Sequence, residues 1–144
     1  MTRFNALIAQ FFWLPHRNPP TAPAPSPPSP LGVSLNDPLY WINTERVKAG
    51  LVPMRDDATM TRFSIENNVQ QHLRNLEGHF VTPGPGMDWG QCAAMGSATQ
   101  RECVAQWMEL LRHRAIILTP RYRFGGFAVD TTIDPPEATF TCRV

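Results

Sequence analysis

LYWINTERVKAGLVPM, residues 39–54, is the stretch whose reading decides the fold. It follows Asp37-Pro38, a side-chain acceptor and then a residue suited to a first helical turn. Leu39, Ile42, Arg46 and Val47 share one face at helical spacing, and Gly50 ends the run. The stretch therefore reads as a short amphipathic helix.

Downstream, a second helix is expected from about Thr59 to Glu77. Met60, Phe63, Val69, Leu73 and Leu76 supply its apolar positions and Gly78 stops it. A loop rich in proline and glycine, FVTPGPG at 80–86, leads to DWGQCAAM at 88–95, short and apolar enough for a strand. Ser97 with Gln100 reads as a capping box opening a third helix, in which Val104, Trp107, Met108 and Leu111 are core. FGGFAVD at 124–130 and ATFTCRV at 138–144 read as two strands around the Asp134-Pro135-Pro136 turn. The order is helix, helix, strand, helix, strand, strand. It implies an α+β domain with helices packed on a small antiparallel sheet.

Upstream, residues 1–14, MTRFNALIAQFFWL, set one basic residue before a short apolar run. The pattern fits an export signal, and equally a short amphipathic helix lying on the domain or on a membrane surface. Residues 15–30 hold eight prolines in sixteen positions, the composition of a stiff spacer. The chain thus divides into an apolar segment at 1–14, a proline-rich linker at 15–34 and a domain at 35–144. No run of 18 or more apolar residues exists, so no full membrane span is expected. Thirteen basic and twelve acidic residues give a net charge of +1 and no electrostatic case for nucleic acid. Arg112, Arg114, Arg121 and Arg123 lack the interleaved aromatic platform that nucleic-acid binding needs. Three cysteines leave one pair plus a thiol, or three thiols. Cys92 and Cys103 can pair only if their Cα atoms lie within about 7 Å, and Cys142 reads as a buried thiol.

Several motifs in order carry a resemblance. Asn43, Arg46, Ala49, Gly50, Leu51 and Pro53 resemble the opening helix of the CAP superfamily (cysteine-rich secretory proteins, antigen 5, pathogenesis-related 1). Glu77-Gly78-His79 looks like the close of that family's second helix. Gly90-Gln91-Cys92 stands where the family has Gly-Glu-Asn. Trp107, then His113-Arg114, Ile117-Leu118, Pro120 and Gly125-Gly126 resemble its bacterial branch. The resemblance covers about residues 35–144 and implies an α-β-α sandwich with a shallow cleft. It implies that His79, Gln91, Glu109 and His113 face that cleft.

The departures matter chemically. The family's strand glutamate is Gln91, the asparagine after it is Cys92, and the acidic position three after the tryptophan is Leu110, with Glu109 one residue earlier. Two imidazoles, His79 and His113, supply part of a zinc-like site, which takes three or four ligands. A glutamine keeps shape and hydrogen bonding but neither takes a proton nor offsets a cation. The expected function is therefore a secreted or envelope-tethered CAP-like binding module without catalysis, for lipids, small hydrophobic ligands or protein partners. The alternative is a divergent metal-assisted hydrolase using His79, His113 and Glu109. Residues 1–14 would supply any peripheral membrane contact. His16 and His72 have no partner in the pattern.

Overall fold

Residues 32–144 are described by a computed structural model. The segment 1–14 and the proline-rich stretch up to residue 31 lie outside the described residues. The first helix, α1 (Tyr40–Lys48), starts where Asp37 Oδ1 accepts the Leu39 N–H at 2.8 Å, and Gly50 turns away from it with φ +74°. Its inward face holds Leu39, Ile42, Asn43 and Arg46. Asn43 donates to Asp37 Oδ2 and Met54 O, and accepts from Met54 N. Arg46 is fully buried and has no carboxylate partner among the described residues. Its guanidinium donates to four carbonyls, those of Val52, Ile117, Thr119 and Tyr122, at 2.7–3.1 Å. Burial lowers its pKa, but far from enough to discharge a guanidinium near neutrality. A buried cation held this way ties α1 to a distant stretch of chain.

The remaining elements are β1 (Arg55–Asp56), α2 (Ala58–Arg74), β2 (Trp89–Met95), α3 (Gln100–Glu109), α4 (Leu111–Ile117), β3 (Phe124–Asp130) and β4 (Glu137–Arg143). The sheet order is β1-β3-β4-β2. β1 pairs with β3 in parallel and the other pairs are antiparallel, so the sheet is mixed where an all-antiparallel one was expected. Register explains the three layers. Gly90, Cys142 and Gly125 align across the strands, and Gln91, Thr141 and Gly126 form the next row. Alternation sends the two rows to opposite faces. The face with Cys92, Ala94, Ala138, Phe140 and Cys142 packs in one apolar core with Leu39, Ile42, Cys103, Val104, Trp107 and Ile117. The other face receives α2. There a Cβ on Gly126 would collide with the backbone of Met60 and Thr61, so glycine lets the helix approach closely.

Four expectations about helices need correction. α2 does not bury Val69, Leu73 and Leu76, which are exposed, and Phe63 is only half-buried; its inward face is Met60, Ser64, Asn67, Asn68 and Gln71. The sheet face beneath it carries Thr139 and Thr141, and polar side chains satisfy those hydroxyls and nearby carbonyls. The helix ends at Asn75 in the left-handed region, with Leu76 N bonding Gln71 O, before Gly78 is reached. The third helix is capped by Thr99 and Glu102, not by Ser97 and Gln100. It also stops early. Leu110 is extended (φ −93°, ψ 117°) and starts α4, which leaves Leu111 exposed and Met108 half-buried. All three cysteines are buried free thiols, so Cys92 and Cys103 are not paired.

Candidate functional site

The polar layer under α2 reaches one edge of the sheet and there positions a histidine. Asn67 donates to Gly78 O at 2.9 Å and accepts from Phe80 N and Val81 N at 2.7 and 3.0 Å. Gln71 Oε1 accepts the Gly78 N–H. Two α2 side chains therefore grip the backbone on both sides of His79. The ring is set by Gln91, buried on edge strand β2. Gln91 Nε2 donates to Val81 O at 2.9 Å and to Thr141 Oγ1 at 3.0 Å. A carbonyl oxygen only accepts, so the amide NH₂ must face Val81, and Oε1 must face His79 Nδ1 at 2.9 Å. His79 Nδ1 consequently carries the hydrogen and donates.

His113 approaches from the other layer. It lies in the first turn of α4, the short helix that starts after the break at Leu110. Its ring meets Trp107 edge-to-face, with centroids 6.2 Å apart. Trp107 is itself pinned by a 3.0 Å bond from its indole N–H to Ala93 O. His113 Nδ1 is buried without a hydrogen-bond partner. Burial, and then the neighbouring His79, pull the His113 pKa below 6.5, while Glu77 opposes them. His113 is therefore a neutral imidazole at neutral pH. Arg112 and Arg114, on either side of it in sequence, are exposed.

The structure joins His79 to Gln91 on edge strand β2, and His113 lies near enough for His79 to act on its charge. Glu109 ends α3 as an exposed residue, and no described hydrogen bond or ion pair joins it to the others. Glu77 is the acid beside the histidines. One of its oxygens accepts the Met95 N–H at 3.2 Å, covering part of the open edge of β2. Sequence reasoning quoted Glu77 only as part of a helix end, and Trp107 only as core. Asn67 was missed entirely, because an asparagine inside a helix gives no signal of its partners. Among the described residues no group of three or more His, Cys, Asp and Glu side chains is placed to hold a metal ion. Two imidazoles alone fall short of a structural or catalytic zinc site.

No family sequence model and no curated protein sequence matches the chain. Solved structures do. An outer surface protein from Borrelia burgdorferi superposes with a TM-score of 0.61 at 16% identity, covering 71% of this chain and 84% of that one. The structure of MpPR-1i superposes with a TM-score of 0.51 at 16% identity, covering 73% of this chain and 81% of that one. At such identities the likeness shows the fold alone, and that fold is the α-β-α sandwich the CAP resemblance implies.

Proposed function

We propose that this CAP-fold chain is a non-catalytic binding module of the cell envelope or extracellular space, taking its ligand at the cleft bordered by His79 and His113. The observation that carries the reading is the bond between His79 and Gln91. An amide oxygen fixes the tautomer and angle of an imidazole. It does not stabilise the imidazolium that a general base becomes, as a carboxylate in that place does. The proposed cleft is bordered by two imidazoles and by one exposed acid, Glu77. That set suits hydrogen bonding and apolar contact with a lipid, a small hydrophobic molecule or a protein side chain better than bond cleavage. A surface protein among the structural neighbours agrees with a location outside the cytoplasm.

The test uses the full chain. Zinc chloride and sodium oleate are titrated by calorimetry against the parent and against His79→Ala and His113→Ala, and hydrolysis of a p-nitrophenyl ester is followed in parallel. The expected result is saturable oleate binding weakened in both variants, weak or no zinc binding, and no turnover above the His113→Ala background. Turnover that His113→Ala abolishes would overturn the reading and support a hydrolase. It would then be Glu77, not Glu109, that supplies the acid.

A further inference from the structure

Helix α2 is amphipathic in the inverse sense. Its polar side chains face the sheet. Its solvent side carries Ile65, Val69 and Leu73 at i, i+4 and i+8, followed by Leu76 just past the C-cap. These four are 50, 48, 70 and 57% exposed, a continuous aliphatic stripe on one helix. Nothing in the fold of the described residues uses them, and such a stripe marks a surface that is covered by something. Charge at its margin selects what. Arg62 reaches Glu66 at 3.7 Å and Arg74 lies over the Phe80 ring at 4.8 Å. The margin is close to balanced, so it offers little attraction to an anionic lipid surface. An apolar segment poor in charge fits better.

The chain contains one. In residues 1–14 the sole charged side chain is Arg3, and Phe4, Leu7, Ile8, Phe11 and Leu14 recur at helical spacing. The lengths agree: at 1.5 Å per residue, Phe4 to Leu14 spans ~15 Å and Ile65 to Leu76 ~16 Å. The described chain begins beside α1, where Asp37 is bonded to Asn43, on the side of the sheet away from α2. A polyproline II chain as long as residues 15–31 would span ~50 Å at ~3.1 Å per residue. That exceeds the ~25 Å needed to pass three layers packed ~10 Å apart.

We infer that residues 4–14 dock as a helix on the Ile65–Val69–Leu73–Leu76 stripe of the same molecule. Docking covers the stripe intramolecularly and brings the N-terminal segment to the end of α2 from which the His79 loop departs. It does not depend on what the cleft binds.

Hydrogen exchange read by mass spectrometry on the full 144-residue chain tests this. Amides of residues 4–14 should exchange about tenfold more slowly in the parent than in the double variant Val69→Gln/Leu73→Gln, given the millimolar effective concentration a tether provides. Sheet amides should be unchanged, since glutamine suits an exposed helix position. If that variant loosens the sheet, Leu7→Asn/Phe11→Asn serves instead, because it leaves the domain untouched. It should speed exchange in 4–14 by the same factor. Equal rates in parent and variant would overturn the inference. Protection that grows with protein concentration would overturn it in favour of a second copy. Protection seen only with phosphatidylcholine vesicles would overturn it in favour of a lipid surface.

Discussion

The two faces of the sheet are held by different physics. On one, Phe140, Cys142, Cys92 and Ala94 pack against α1, α3 and α4 with almost no polar atoms between them. On the other, Ser64, Asn67, Asn68 and Gln71 meet Thr139, Thr141 and Gln91 through a continuous hydrogen-bond layer. Apolar packing is tolerant, since volume counts more than identity. A buried polar layer is demanding, since each member left without a partner costs its full desolvation. The difference teaches where geometry is specified. The polar face is the one that runs out to the sheet edge and sets the angle of His79. The apolar face supplies the floor, Trp107, on which His113 rests.

The largest expected effect is at the buried cation that locks the apolar side. Arg46→Met keeps volume but strips the donors from four carbonyls, and should cost about 4 kcal/mol in urea unfolding. A loss below about 1 kcal/mol would mean that water replaces the guanidinium and that the clamp is dispensable. Next, the two faces are compared directly. Thr141→Val, nearly isosteric, should cost about 2 kcal/mol because Gln91 Nε2 and Ser64 Oγ both lose a partner. Cys92→Ala, on the apolar face, should cost about 1 kcal/mol. Equal costs would erase the distinction. Asn67→Ala sharpens it further. Beyond a comparable stability loss, it should raise amide exchange across 78–81, because three of that loop's backbone groups bond to this one side chain.

The smaller effects concern the site. Folding holds His113 below its ordinary value of 6.5, so the unfolded chain takes up that proton first. This contribution to stability is complete above pH 6.5 and is lost as pH falls below it. Unfolding midpoints taken at about pH 7.5 and 5.5 should differ less in His113→Gln than in the parent. An unchanged difference would place the acid sensitivity elsewhere. Finally, Gln91→Glu introduces a carboxylate behind His79 and should raise zinc affinity about tenfold, the effect expected of a group that orients a metal-binding imidazole. No gain would show that the cleft lacks a third ligand position and is not a weakened metal centre.

Much of the fold was legible in the residues. The Asp37-Pro38 start and Gly50 stop of the first helix are local devices, and strands 89–95, 124–130 and 137–143 stand where alternation and turn residues put them. The helix break at Leu110 was not legible. Residues 106–118 keep helical propensity throughout, and only packing shows that the chain turns there and aims His113 from a new helix start. The apolar face of α2 misled for the opposite reason: Val69 and Leu73 have the right spacing for a core, but the sheet row they would meet is made of threonines and a glycine. Of the candidate site, the hydrogen bond between His79 and Gln91 could not be read from residues 12 apart in sequence, because it depends on how the loop after α2 lies against β2.

By itself the sequence determined most of the helical and strand segments and that the charge is near balance. These follow from propensity, periodicity and residue chemistry, all of which act within a few neighbours along the chain. Tertiary structure alone decided that α2 turns its polar side inward, that Arg46 directs its charge to four carbonyls, and that the His79 ring is held by Gln91 of the edge strand. Those outcomes depend on which unsatisfied groups a neighbouring layer presents. That is a property of strand register and layer stacking, and no single segment carries it.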